Sequence, residues 1–187
     1  GVMGLQLWFH AHGIDESNVH KPYRPKSRGI GNSQILPYDY HLQADIDLVF
    51  REMAEQVAIR LRRKKKKTQL VSIHASYSKI EGLPSIHCQQ KIEPTQSTKV
   101  LSDTVLRLFR SKYEGGAIRQ IGVFYGELVE ESLQLFSLFD DPVALEKEEK
   151  LQQTIDRIRD QFGFTSLQKG SSLLENSRAI ARSKLTG

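Results

Sequence analysis

Apolar and polar side chains alternate along several short stretches of the chain. In one of them Val71, Ile73 and Ala75 fall on one face, while Ser72 and His74 fall on the other. This two-residue period is that of a β-strand with one buried and one solvated face. Four strands are predicted from such patterns and their turn residues, over residues 29–36, 68–78, 86–92 and 117–126, with Pro37 ending the first.

Two longer stretches carry apolar residues three and four positions apart. Ile46, Phe50 and Met53 begin one such stripe in residues 42–63, and residues 99–112 carry a second. This is the period of a helix with one face on a core. The predicted fold is therefore α+β: a ferredoxin-like βαββαβ unit, in which two helices cover one face of a four-stranded antiparallel sheet.

The uncovered face of this sheet is predicted to be polar and poor in carboxylates, because half-polar strands need one solvated side. Such a face suits sequence-independent contacts to phosphate oxygens. The backbone near Gly29 and Gly31 could also approach a phosphate closely, since glycine lacks a side chain. A face that is merely solvated explains the pattern almost as well, so both interpretations stay open. The positions concerned are Ser72, His74, Ser76, His87, Gln89 and Lys91.

The segments outside the sheet differ from it in composition. Residues 1–20 read as the end of a helical unit, and residues 21–28 hold two prolines and four basic residues, which predicts an extended linker. Beyond the sheet, Asp141-Pro142 is a favourable helix start. An amphipathic stripe follows and ends at Gly163, so a helical C-terminal extension is expected.

Charge is unevenly distributed within a net charge of +5. Arg62–Lys67 form an unbroken basic block, whereas residues 127–149 are rich in carboxylates. A basic core with an acidic appendage suggests a polyanion partner for the first and a different partner for the second. A charge run at a helix end is as often simply solvated, so contact of the basic block with nucleic acid remains open.

No set of residues in the sequence predicts catalysis. Asp45 and Asp47 stand at a predicted helix start, as do Asp140 and Asp141, where carboxylates stabilise the helix dipole and do not form a two-metal site. The single cysteine, Cys88, excludes an internal disulfide and argues against a zinc site. We expect a soluble cytoplasmic protein without catalytic residues, metal, cofactor or membrane partner.

Two motifs resemble the little-finger domain of Y-family (lesion-bypass) DNA polymerases. Residues 26–33, Lys-Ser-Arg-Gly-Ile-Gly-Asn-Ser, resemble the Lys-Ser-Ile-Gly segment that opens that domain. Residues 117–123, Ala-Ile-Arg-Gln-Ile-Gly-Val, resemble its final strand. The predicted elements between the motifs match in type and order, and residues 7–15 look like the end of the preceding thumb domain. The chain is thus similar to the C-terminal part of such a polymerase, in the ImpB/MucB/SamB (UmuC-type) branch.

The resemblance implies how the chain is divided. Residues 1–20 would end the thumb, 21–28 would be the linker, 29–128 would form the little finger, and 129–187 would hold a clamp-binding segment and a helical tail. The palm, with the carboxylates that bind Mg²⁺ in the parent polymerase, would precede Gly1, so this fragment should be inactive alone.

The resemblance also implies a function. The domain would bind primer–template or damaged DNA through contacts to the DNA backbone. Gln120 and Phe124 stand where relatives often place arginine, which weakens the grip expected of the last strand. The residues expected at the DNA are Lys26, Ser27, Arg28, Gly31, Asn32, Ser33, Ser72, His74, Ser76, His87, Gln89, Lys91, Arg119 and Gln120.

Residues 133–141, Leu-Gln-Leu-Phe-Ser-Leu-Phe-Asp-Asp, resemble the Gln-Leu-x-Leu-Phe peptide by which bacterial polymerases hold the sliding clamp. Apolar anchors on an extended segment would fill a pocket on that partner. The register is open, because a motif ending at Phe139 places Leu135 where glutamine is expected. A short segment folding back onto the domain is the alternative. The implied clamp-binding residues are Gln134, Leu135, Leu138 and Phe139.

Two other functions are compatible with the residues. Ferredoxin-like sheets also bind RNA by stacking bases on aromatic side chains of their central strands. The exposed positions of 68–78 and 86–92 hold no Phe or Tyr, although exposure of Tyr77 would favour this function. The other alternative is a protein-interaction domain that works through residues 133–187.

Overall fold

The computed structural model describes residues 2–15, 29–132 and 142–184, and in them the expected α+β fold is confirmed. Four strands form one antiparallel sheet in the order β1-β4-β2-β3. The elements are α1 (Val2–Ala11), β1 (Ile30–Tyr40), α2 (Gln43–Arg63), β2 (Lys66–Tyr77), β3 (Ile86–Thr95), α3 (Thr98–Arg110), β4 (Ile118–Glu130), α4 (Pro142–Phe162) and α5 (Ala179–Ser183), with 3₁₀ turns at Phe164–Ser166 and Gly170–Leu173.

Each βαβ unit of the sheet is split by a strand from the other unit. β4 lies between β1 and β2, and β2 lies between β4 and β3, so β2 and β4 are the central strands. The connecting helices α2 and α3 pack against each other and against the same side of the sheet. The opposite side of the sheet is therefore left open.

The core between helices and sheet consists of the stripes that the sequence predicts. Ile46, Phe50 and Met53 of α2 are fully buried, and the ring of Phe50 packs on that of Phe109 with centroids 4.9 Å apart. Ser97 caps α3 by accepting a hydrogen bond from the amide of Val100, which satisfies one of the free amides of the first turn.

The first strand is longer than predicted. Its predicted end is at Pro37, whereas β1 continues to Tyr40. β1 is an edge strand, and its register with β4 shifts between Ile35 and Tyr40. Proline is tolerated there because no ladder hydrogen bond from its nitrogen is needed.

The helical extension begins at Pro142 and ends before Gly163, as expected. Its apolar stripe packs only in part, since Leu151 and Phe162 are exposed while Ile155 and Ile158 are half-buried. The helix is also held by ion pairs with α2, two of which, Arg62–Asp156 and Arg159–Glu55, lie almost completely out of water.

Arg62 forms the centre of this contact. Its Nε donates to Asp156 Oδ2 at 2.6 Å, and its Nη1 donates to the carbonyl of Gln96 at 3.0 Å and to Thr98 Oγ1 at 2.9 Å. Arg63 pairs with Asp160 one turn further along α4. Two residues of the basic block thus pair with α4 of the same chain, at Asp156 and Asp160, beyond the carboxylate-rich residues 127–149.

A second ion-pair cluster continues the contact. Glu55 of α2 accepts from Arg159 at 2.8 Å and pairs with Lys169 at 2.6 Å. Burial alone would raise the pKa of Glu55, but Lys169 and Arg159 outweigh burial and hold this pKa below its usual value. The Glu55 carboxylate is thus ionised at neutral pH and ties both α4 and the following turn to α2.

The rest of the extension returns across α2 to the edge of the sheet. The amide of Arg178 donates to Glu52 at 2.8 Å, Tyr40 donates to the carbonyl of Asn176 at 3.1 Å, and Arg182 Nε donates to Gln34 at 2.8 Å. Residues 142–184 are thus packed on the covered side of the domain and do not compete for its open face.

The N-terminal helix confirms the helical interpretation of part of residues 1–20. α1 is followed by Gly13 at φ +75°, and glycine adopts this conformation without strain. In the parts of the chain that the structure describes, no helix is both long enough and apolar enough to span a bilayer.

Candidate nucleic-acid interface

The open face of the sheet is built from side chains in register across the four strands. Its centre is a shallow groove of about 710 Å³. Two neighbouring rows of residues cross the groove; from β1 to β3 the first consists of Ser33, Gly122, His74 and His87, and the second of Gly31, Phe124, Ser72 and Gln89, of which Gln89 lies just outside the groove. None of these eight residues is a carboxylate, so the centre of the face would not repel a polyanion.

A histidine pair occupies one side of the groove. The rings of His74 and His87 lie with centroids 4.6 Å apart, and Ser76 Oγ lies 2.9 Å from Nε2 of His74. Burial, and secondarily the neighbouring His87, lowers the pKa of His74 below its usual value. His74 is therefore neutral at pH 7, where it can exchange hydrogen bonds with a ligand but adds no charge.

The two described cations predicted to contact DNA both have a carboxylate neighbour. Lys91 Nζ lies 3.1 Å from Glu127, and Arg119 Nη1 lies 3.8 Å from Asp39. Both pairs are exposed enough to exchange partners at low cost. The margin of the face is thus less basic than the sequence suggests.

Arg119 also lies at an irregularity of the sheet. Ser76 pairs with Gln120 but Tyr77 pairs with Ile118, so Arg119 is the extra residue of a bulge in β4. Bulges re-aim side chains next to binding sites, and the sequence pattern gave no indication of this one.

The structure brings most of the described candidates together and separates one. Asn32 pairs with the buried Val123, and the register therefore assigns Asn32 to the helix-covered side, away from Ser33. The candidates that share the open face are Gly31, Ser33, Ser72, His74, Ser76, His87, Gln89 and Gln120. Lys26, Ser27 and Arg28, like the clamp-binding candidates Gln134, Leu135, Leu138 and Phe139, lie outside the described residues.

Phe124 is the residue at this site whose role the sequence analysis missed. It belongs to a central strand and remains 39% exposed. A Cβ at Gly29 would lie 2.1 Å from Phe124 Cζ, and one at Gly31 would lie 2.9 Å from Cδ2. The ring therefore explains both glycines, where the sequence suggested close approach of a phosphate. The buried alternate positions Val123 and Tyr125 were the signal that Phe124 faces outward.

Tyr77, by contrast, does not supply an aromatic side chain on the open face. It is half-buried at the end of β2, and its ring stacks on Tyr113 with centroids 6.5 Å apart. The strand order also corrects which strands are central: β3, with His87 and Gln89, is an edge strand, and β4 takes its place.

The fold and this face define a class of protein: a two-layer α+β domain with one side of its sheet open for binding. Residues 27–137 match the impB/mucB/samB family C-terminal domain. The chain is 35% identical over its whole length to UvrX of Bacillus subtilis, a protein named for UV-damage repair. Proteins named DNA polymerase IV 2 from Halalkalibacterium halodurans and Bacillus subtilis are 32% and 31% identical over the whole chain.

The chain therefore belongs to the impB/mucB/samB family, and the match is to its C-terminal domain. It spans about 45% of the length of each of these three relatives. The resemblance stated from the two sequence motifs is confirmed by these matches.

Proposed function

We propose that this chain binds primer–template DNA without base preference, as the little-finger domain of a lesion-bypass DNA polymerase. The observation that carries the proposal is the open sheet face, whose central rows offer hydroxyl, imidazole and amide groups and hold no carboxylate. Its support from relatives is that two of them are named DNA polymerase IV 2 and another is named for UV-damage repair.

The face suits the phosphate backbone better than base edges. Ser72, His74 and Gln89 project from the open face and can each donate to a phosphate oxygen, and such contacts position DNA without reading sequence. Lys91 and Arg119 add charge when a phosphate displaces Glu127 or Asp39. Exchange of an exposed ion pair costs about 0–1 kcal/mol, which a phosphate contact can offset.

The test places one new carboxylate on each side of the domain. Gln89→Glu adds a charge to the open face, and Gln153→Glu adds the same charge to an exposed position of α4. Fluorescence anisotropy with a primer–template duplex should show affinity several-fold lower for the first variant and unchanged for the second. Equal affinities for both variants and the parent chain would contradict binding through the sheet.

The salt dependence of binding provides a second readout. Phosphate contacts make the logarithm of the binding constant fall linearly with the logarithm of salt concentration, with a slope of about −0.9 per contact. With about five cations engaged, affinity should fall by two to three decades for a fourfold rise in salt. Sequence-dependent affinity, or a flat salt response, would argue for a different ligand.

We further propose that Gln134, Leu135, Leu138 and Phe139 bind a bacterial sliding clamp. The support is the resemblance of their sequence to a clamp-binding peptide, with apolar anchors suited to a hydrophobic pocket. Alanine at Leu138 and Phe139 together should abolish binding to purified clamp in calorimetry and leave the DNA affinity unchanged. Undiminished clamp binding by that variant would reject these residues as the anchors.

The chemistry of nucleotide transfer is proposed to lie in the other domains of the parent polymerase. There Mg²⁺ would be bound by clustered carboxylates, and DNA binding by this chain would need no cofactor. We expect the chain alone to extend no primer under conditions in which it binds primer–template DNA.

A further inference from the structure

Phe124 presents one side of its ring to the space above the sheet. The ring packs on three glycines that leave space for it because they lack a side chain. A Cβ at Gly29, Gly31 or Gly126 would lie 2.1, 2.9 or 3.1 Å from a ring atom. An aromatic side chain that covers glycines of a strand also supports the sheet. That packing accounts for the lower side of the ring, but not for the 39% of the residue that stays exposed in the middle of a polar face.

The groove of the open face lies beside Phe124. Its floor is Gly122, two residues along β4 from Phe124 and paired with His74 on one side and Ser33 on the other. Two residues of strand span about 6.8 Å, so the row of His74 and His87 is the next row along the sheet from that of Phe124. Phe124, His74 and His87 all line the groove.

We infer that this groove is a subsite for one unpaired nucleobase of single-stranded DNA, stacked on Phe124. The inference rests on the proposed DNA-binding function and adds a ligand class to the same face. A base within a duplex is covered on both sides by its neighbours and cannot stack on the ring, whereas an unpaired base can. Stacking of this kind tolerates any base, because every base has a π-face. The hydroxyl of Ser72 and the amide of Gln89 lie in the row of Phe124, where they can hold the adjoining phosphate.

The direct test compares three variants of the 187-residue chain. Phe124→Leu keeps an apolar side chain but removes the π-face. Gly122→Val fills the floor of the groove; its Cβ alone would meet its nearest neighbours, the Asn32 carbonyl and Ser33 Cβ, at 3.4 Å. Ile35→Ala removes another exposed apolar side chain from the same face and serves as the matched control.

Each variant is titrated by anisotropy against a single-stranded oligonucleotide and a blunt duplex over a salt series. A base–aromatic stack contributes about 5- to 150-fold in affinity. We expect Phe124→Leu and Gly122→Val to lose at least about fivefold on single-stranded DNA, by the same factor at every salt concentration, because stacking releases no counterions. Duplex affinity should fall by a clearly smaller factor, because a duplex contacts the same face through its phosphate backbone only, and Ile35→Ala should bind both ligands normally.

The outcomes separate this inference from the function on which it rests. If the variants bind single-stranded DNA as tightly as the parent chain while duplex binding persists, the subsite is wrong and the proposed function stands. If the parent chain binds no DNA at low salt, the proposed function itself is wrong. An equal loss on both ligands together with a lower melting temperature would show that Phe124 only supports the sheet. A single-stranded RNA of the same sequence is titrated in parallel, and tighter binding of this RNA than of the DNA would also overturn the inference.

Discussion

Replacing Asp156 by alanine should loosen the C-terminal helix from the domain. Arg62 and Asp156 are 8% and 12% exposed, so this ion pair lies almost completely out of water. Removing one partner of a buried pair costs about 3–5 kcal/mol, because the other charge stays buried without its counter-charge. Arg62 would keep its hydrogen bonds to Gln96 and Thr98, which places the expected cost near the lower end, at about 3 kcal/mol.

The chain supplies a matched control four residues away on the same helix. Asp160 pairs with Arg63, but the two side chains are 50% and 56% exposed. Exposed pairs of this kind contribute about 0–1 kcal/mol, so Asp160→Ala should be nearly silent. Each variant removes one aspartate carboxylate from α4, and the two positions differ mainly in how deeply they are buried.

Native-state hydrogen exchange of the α4 amides is the suitable assay, together with urea unfolding. If the helix detaches before the sheet unfolds, the loss appears as faster exchange in α4 while the amides of β2 and β4 stay protected. The double variant Arg62→Met with Asp156→Leu removes both charges and should recover much of the lost protection. Equal protection of α4 in Asp156→Ala and Asp160→Ala would refute the view that the buried Arg62–Asp156 pair holds the extension in place.

Three further predictions concern the sheet. Gly29→Ala should destabilise the domain by about 1–3 kcal/mol through overpacking against the ring of Phe124, and adding Phe124→Ala should relieve most of that cost in thermal unfolding; a cost that persists would point to another cause. Tyr125→Phe removes a buried hydrogen bond of 3.1 Å to the carbonyl of Ala54 and should lower the free energy of unfolding in urea by about 1 kcal/mol. An unchanged free energy of unfolding would mean that this hydrogen bond makes no net contribution to stability. Because the pKa of His74 is lower in the folded chain than its usual value of about 6.5, the unfolded state binds its proton more readily. The contribution of His74 is therefore present above pH 6.5 and lost as pH falls through the lowered pKa; melting curves from pH 8 to 5 should show a shallower decline for His74→Gln, and identical declines would contradict this.

The fold could be predicted because its core follows two simple periods. The α2 stripe of Ile46, Phe50 and Met53 and the alternation of Val71 and Ile73 both turned out to be buried as expected. The local pattern was sufficient there, because the burial of each residue depends only on the face of its own helix or strand.

Features that depend on contacts between distant elements could not be predicted in the same way. The sequence shows the charges of Arg62 and Asp156 but not that they meet, because this depends on how α4 packs on α2. Phe124 lies in the middle of the open face because β4 is a central strand of the sheet. The alternation along β4 does not show where in the sheet this strand lies. The bulge at Arg119 likewise arises from pairing with β2, and its neighbours in sequence carry no signal of it.

The most direct test of DNA binding through the sheet is amide chemical-shift mapping by NMR during titration with a primer–template duplex. We expect the largest shifts at Ser33, Ser72, His74 and Gly122 on the open face, with the amides of α4 unaffected. Shifts concentrated in α4 and α2, with those four amides unchanged, would contradict it.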